Sequence, residues 1–251
     1  MLKDIVATEG WREAYTLVAI ILFVSILPLS FFLKRRRPIT VFSDEVGSST
    51  GPSSRQNLGS SRDFLQILLI IAGVSCCVAM SMPQVHIVAY SADLGYGMTR
   101  GAEMLSLMLV GGIISRLASG ILADYIGGVR TLLLGSILQC LALFLYLPFD
   151  GLASLYVVSF IFGLSQGGIV PSYAVIVREY FPASQAGQRV GLVILATVMG
   201  MALGGWLSGL IYDLNQSYQA AFINGIAWNF INIFIISFIL WKSKNQALKY
   251  A

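Results

Sequence analysis

Charge is scarce in this sequence: charged residues fill 11% of 251 positions, while hydrophobic residues fill 57%. A soluble domain is nearer a quarter charged and half apolar. No water-soluble fold of this length has enough interior for so much apolar side chain. Histidine occurs once, which leaves no Ser/His/Asp set. There is also no phosphate-cradling glycine loop and no carboxylate pair facing a common space, so the chain does not read as an enzyme and implies no cofactor. The three cysteines, Cys76, Cys77 and Cys140, lie within apolar runs at no metal-ligand spacing. They read as small packing residues, and no metal site is expected. Long strict alternation is missing as well, and with it the pattern of a membrane β-barrel.

What is present is a series of long apolar runs, at 15–33, 64–90, 104–123, 131–149, 152–177, 190–212 and 218–241. Each has about the length that a bilayer core requires. The expected fold class is therefore an all-α membrane protein with seven transmembrane helices. The short polar breaks between runs are turns, with one exception. Residues 39–63 are Ser/Gly-rich and without helical period, and predict a flexible linker. The predicted organisation is residues 1–38 with the first span, the linker 39–63, and a six-helix bundle over 64–251.

The first run is not a signal peptide, because it ends in Lys34-Arg35-Arg36-Arg37 rather than a small-residue cleavage site. Placing that cluster inside puts Lys34 to Arg37, Arg55, Arg62, Arg116, Arg130, Arg178, Arg189, Lys242, Lys244 and Lys249 on the cytoplasmic side. Only Lys3, Arg12 and Arg100 remain outside. By the positive-inside rule the N-terminus is outside and the C-terminus cytoplasmic, in a cell (inner or plasma) membrane. The net charge of +4 thus reports topology, and no nucleic-acid partner is expected. An odd span count with an outside N-terminus suggests further spans upstream.

Polar groups inside spans are costly and tend to face a cavity or a partner helix. In the second run, Ser75, Met82, His86 and Tyr90 share a face beside Pro83. His86 can titrate near neutral pH, which fits a proton relay or ligand, or it can hydrogen-bond a neighbouring helix. Arg116, near the inner end of the third run, can snorkel to the interface, pair with Asp124, or face an anionic solute. Gln166 and Tyr173 share a face of the fifth run among Gly163, Gly167, Gly168 and Pro171, suited to cavity lining or to packing. Gly200, Gly204, Gly205 and Gly209 form small-xxx-small pairs. Asn224, Asn229 and Asn232 read as helix-to-helix hydrogen bonders.

Between the third and fourth runs stands Gly120-Ile-Leu-Ala-Asp124-Tyr-Ile-Gly127-Gly128-Val-Arg130. Its Gly, Asp, Gly, Arg spacing resembles the cytoplasmic-loop signature of the major facilitator superfamily, in its second copy. Gly10-Trp11-Arg12 resembles the family's entry to helix six, residues 39–63 its central loop, and Tyr180-Phe181-Pro182 the exit from helix ten. The resemblance covers the chain as helices six to twelve, the C-terminal half. The third run, LSLMLVGGIISRLASGILAD, is similar to bacterial monocarboxylate-porter-like permeases, although Gly112 stands where that branch often carries an acid. Nor does the sixth run hold the lysine that oxalate–formate-type relatives use.

The resemblance implies secondary active transport of a small anionic organic solute by alternating access, in the lipid bilayer, with a coupling proton and a separate N-terminal half as further partners. It implies a gating motif of Gly120, Asp124, Gly127, Gly128 and Arg130, with Arg178 and Arg189 as candidate partners of Asp124. The candidate solute-binding residues are His86, Met82, Tyr90, Arg116, Gln166 and Tyr173. Two other readings stay open: a seven-helix receptor or photosensory protein, and a transporter fragment without activity.

Overall fold

The computed structural model of the chain describes residues 10–32 and 62–247. Among these residues the backbone forms eight helices: α1 (Trp11–Phe32), α2 (Arg62–Asp93), α3 (Met98–Ile126), α4 (Gly128–Leu145), α5 (Leu152–Gln166), α6 (Ile169–Tyr180), α7 (Ala183–Asn215) and α8 (Tyr218–Ala247). α5 and α6 are the two parts of a single span interrupted at Gly167–Gly168, which makes seven spans long and apolar enough to cross a membrane. The Lys34–Arg37 cluster lies outside the described residues. So does the expected linker 39–63, except for Arg62 and Asp63, which open α2.

The helices run beyond the apolar stretches that predict them. α2 has 32 residues, about 48 Å at 1.5 Å per residue, against a hydrocarbon core of about 30 Å. Polar residues such as Asp93 and Arg189 therefore belong to helix ends that emerge from lipid, rather than to loops.

The molecule divides into two compact units, α1 in the first and α2 to α8 in the second. Within α1, Thr16, Ser25 and Ser30 donate their hydroxyls to carbonyls one turn back. That satisfies them without a partner helix, as a lipid environment requires. In the second unit α2 is central and packs on α3, α7 and α8; α3 packs on α5, and α4 on α5, α6 and α8. The turns 94–97, 146–151 and 216–217 gather at one end of the bundle, here the Asp93 end. Gly127 and residues 181–182 lie at the other, the Gly127 end.

Lipid is as apolar as leucine, so close packing rather than hydrophobic burial draws such helices together. Two glycine seams permit it. Along α2–α7, a Cβ on Gly200 would lie 2.6 Å from the Val74 carbonyl oxygen, and one on Gly204 would lie 2.2 Å from the Ser81 hydroxyl. Along α3–α5, a Cβ on Gly163 would meet the Met108 carbonyl oxygen at 2.2 Å, and one on Gly167 would meet that of Gly112 at the same distance. The larger core side chains, among them Leu69, Met104, Met108, Leu143, Phe162 and Phe222, fill the space behind these seams.

Candidate functional site

The turn at the Gly127 end is a single residue long. Helix α3 continues through Asp124 to Ile126, Gly127 reverses the chain, and α4 begins at Gly128. Gly127 has φ 86°, a conformation strained for any residue with a Cβ. Its N–H donates to the Ala123 carbonyl at 2.9 Å, and its own carbonyl accepts from the Thr131 N–H and hydroxyl. A Cβ on Gly128 would lie 2.8 Å from the Ile176 side chain, so α6 presses directly on the start of α4.

This geometry corrects the expected pairing of Asp124. Asp124 is exposed in the last turn of α3, and among the described residues it has no hydrogen-bond or ion-pair partner; the same holds for exposed Arg130 and Arg178. The acid at the N-terminus of α4 is instead Glu179, whose Oε1 accepts the Gly128 N–H at 3.0 Å. The reason is positional. A residue in the final turn of one helix points back along that helix, whereas the end of α6 arrives beside the first turn of α4. Arg189 also has another partner. Its Nη2 donates to Asp63 at 3.1 Å, its Nε to Gln185, and its guanidinium lies over Phe181. Gln66 donates to the Arg189 carbonyl, so this group ties α7 to the start of α2. The Asp63 side chain is 83% exposed, and such an ion pair contributes at most about 1 kcal/mol.

Glu179 is half-buried, and its carboxylate meets the positive end of α4 through a charge-assisted hydrogen bond. Glu179→Gln is expected to cost about 1 kcal/mol, read as a lowered melting temperature in detergent. An unchanged melting curve would remove Glu179 from this role.

The solute candidates separate into three places. His86 and Tyr90 are half-buried towards the Asp93 end. His86 Nε2 lies 2.9 Å from the Gly205 carbonyl oxygen on α7 and acts as the donor of that bond. Tyr90 packs edge-on against Tyr218 and Phe222 of α8. Met82 and Tyr173 are sealed in the core at 1% and 0% exposure. The Tyr173 hydroxyl donates to Asn232 Oδ1 at 3.2 Å and lies 3.4 Å from Cys76 Sγ. Asn232 and Asn229 donate to Ser136, and Gln139 to the Cys76 carbonyl, which makes a polar network between α2, α4, α6 and α8. Asn229 and Asn232 thus bind neighbouring helices, whereas the Asn224 Nδ2 is buried without a partner among the described residues. Gln139 Oε1 and Asn229 Oδ1 stay buried without a partner.

The third place is mid-span. Arg116 is exposed and has no partner among the described residues, on a side of α3 where Leu109, Ile113 and Leu117 are exposed too. Ten residues separate it from Ile126, about 15 Å along the axis, which puts it within the apolar run 104–123, towards the Gly127 end. Its neighbours Gly112 and Ser115 pack against Gly167, the residue after Gln166. Gln166 accepts a hydrogen bond from Gln84 of α2 at 3.0 Å. Arg116 and Gln166 therefore lie at similar levels of adjoining helices without touching, Arg116 exposed and Gln166 buried against Gln84, which is an unforeseen third member. Gln84, Glu179 and Asp63 each act through a residue far away in the chain, and no local pattern marks them.

A family profile described as Major Facilitator Superfamily matches residues 5–150 and again 101–249. Among similar proteins, monocarboxylate transporter 13 of Bos taurus is 27% identical over 216 residues, covering 85% of this chain and 49% of its own length. The uncharacterised MFS-type transporter YcxA of Bacillus subtilis (strain 168) is 26% identical over 219 residues, 83% of this chain and 52% of its own. Probable anion transporter 5 of Arabidopsis thaliana is 27% identical over 173 residues, 66% of this chain and 40% of its own. The chain thus spans about half the length of the curated relatives it matches. The crystal structure of an auto-inhibited POT family peptide transporter superposes with a TM-score of 0.59 at 18% identity, over 70% of this chain and 37% of that one; this likeness bears on the fold alone.

Proposed function

Because the chain belongs to the Major Facilitator Superfamily, we infer that it is the C-terminal half, family helices six to twelve, of a carrier that moves a small organic monoanion across a membrane by alternating access. Arg116 carries this reading. A guanidinium held mid-span, exposed and without a protein partner among the described residues, is costly in hydrocarbon. It fits a water-accessible path in which an anion is its counter-charge. Monocarboxylate and anion transporters among the similar proteins support the same class of solute.

In this reading an N-terminal half supplies the opposite wall of the path, and a proton is the coupling ion, with His86 as the group able to carry it. Residues 1–38 and 39–63 are the sixth helix and the connecting loop, the Gly127 end faces the cytoplasm, and the membrane is the inner or plasma membrane. Asp124, without a partner among the described residues, is then available to the N-terminal half or to a second conformational state as a latch. Gly120, Arg130 and Arg178 share that exposed end, and Arg189 anchors α7 beside it.

The test uses the purified chain in lipid nanodiscs. Radiolabelled lactate and propionate are expected to bind saturably, while the isosteric neutral amides, lactamide and propionamide, do not compete. Equal competition by the amides would overturn the anion reading.

A further inference from the structure

The pair Gln84–Gln166 joins two helices at the one level of the bundle where the fold is least regular. Pro83 precedes Gln84 within α2, and Gln166 is the last residue of α5 before the interruption at Gly167–Gly168. Proline removes a backbone donor and loosens the helix around it. Gln84 and Gln166 therefore stand at two points where the helical ladder is weakened. Arg116 is close to the same level, because Gly112 and Ser115 pack on Gly167.

The hydrogen-bond inventory of the pair is incomplete. A glutamine amide offers two donors and an acceptor with two lone pairs. Among the described residues each of these side chains has only the other as partner, through one N–H of Gln84 and the oxygen of Gln166. The direction of that bond leaves the Gln166 NH₂ group and the Gln84 oxygen unused. Elsewhere in the core, unused amide oxygens such as those of Gln139 and Asn229 are sealed off, whereas no atom of Gln84 or Gln166 is among the sealed unpartnered ones. Gln84 itself is half-exposed. The pair thus leaves one donor group and one acceptor unused, both neutral, at about the level of Arg116 along the bundle, with Gln166 4% exposed.

We propose that Gln84 and Gln166 form an uncharged recognition pair that binds the non-carboxylate polar group of the solute while Arg116 holds its carboxylate. This rests on the anion-carrier reading above and adds to it which anions are preferred: those with a hydroxyl or carbonyl a few bonds from the carboxylate. Such a group accepts from the Gln166 NH₂ or donates to the Gln84 oxygen. A plain fatty acid of the same length leaves both amides unpaired in a partly desolvated site, and that raises its dissociation constant.

The experiment compares matched acids, 3-hydroxybutyrate against butyrate and lactate against propionate, by equilibrium binding to the chain in nanodiscs. The unmodified chain is expected to bind each hydroxy acid about tenfold more tightly than its plain partner, the size of one well-made neutral hydrogen bond in a partly desolvated site. Gln84→Leu and Gln166→Leu are each expected to bring that ratio close to one, weakening the hydroxy acid and tightening the plain one, whose binding no longer strands that amide. Gln84→Glu, which keeps an acceptor but adds a negative charge near Arg116, is expected to weaken both acids of a pair. A ratio unchanged in both leucine variants, with both acids still binding, overturns the recognition pair and leaves a helix-packing contact. If neither acid of a pair binds the unmodified chain, the anion-carrier reading fails and takes this inference with it. Should both leucine variants lose their helical circular dichroism, the ratio in Gln84→Asn decides. That side chain keeps the amide but is one methylene short of the contact, so a retained ratio overturns the proposal and a lost one supports it.

Discussion

Arg116→Gln is expected to weaken binding of a small carboxylate by about one to two orders of magnitude, because it removes a charge-assisted contact contributing about 1.5–3 kcal/mol. The same change is expected to leave the fold as stable as before or more so. Arg116 has no partner among the described residues, so its removal orphans nothing there, and it takes a charge out of the apolar depth of the membrane. These two effects have opposite signs, which separates a binding arginine from a structural one: loss of a structural arginine would lower binding and melting temperature together. Arg116→Lys keeps the charge but gives up the planar fork, and should fall between the two, about tenfold weaker than arginine. Labelled-carboxylate binding and melting curves on the same nanodisc samples check all three. Unaltered binding in Arg116→Gln would end the role assigned to it.

Gly163→Ala should be among the most damaging single-methyl changes in the chain. Its new carbon would lie 2.2 Å from the Met108 carbonyl oxygen and 2.9 Å from the carbonyl carbon, both backbone atoms. No rotamer change relieves a clash with backbone, so α3 and α5 must part, and the neighbouring Gly167–Gly112 approach loosens with them. Overpacking of this kind costs about 3 kcal/mol. Gly120→Ala is the matched control. A Cβ there meets nothing within 4 Å, and the position is inside α3, so alanine is expected to be neutral or to stabilise by up to about 1 kcal/mol. The comparison is read from urea or thermal unfolding in the same detergent. Equal stability of the two variants would show that the α3–α5 seam is looser than its distances imply.

The number and positions of the spans were legible because hydrocarbon length and hydropathy act through composition alone, without any knowledge of partners. The seams were partly legible for a related reason. Gly163, Gly167, Gly200 and Gly204 announce close packing, although not which helix they meet. What resisted reading was every feature made by two distant residues. Asp124 is the acid that stands in the signature, yet Glu179 reaches the N-terminus of α4 because α6 ends there, 51 residues away. Arg189 was expected beside Asp124 and instead meets Asp63 across 126 residues. Gln84 looks like any polar residue in its run until Gln166 is placed opposite it. Tyr173 and Gln166 share a helical face in the sequence, but the interruption at Gly167–Gly168 lies between them. One goes into the sealed network with Asn232 and the other to Gln84 of α2. Helix ends were underestimated because Asp, Arg and Tyr were read as loop residues, although nothing in their chemistry forbids a helix that projects from the membrane.

The one-residue turn at Gly127 has a mechanical meaning. A longer connection absorbs displacement as slack, but here α3 and α4 share a joint with no free length, stiffened by the hydrogen bonds on either side of it. α3 is then a lever of 29 residues, about 43 Å long. A tilt of about 5° at the joint would swing Met98 by nearly 4 Å while moving Arg116 little more than about 1 Å. The end of the bundle furthest from Gly127 has the long arm and the charged mid-span residue the short one, so the same rotation that opens one mouth of a path would barely disturb the group held at its middle.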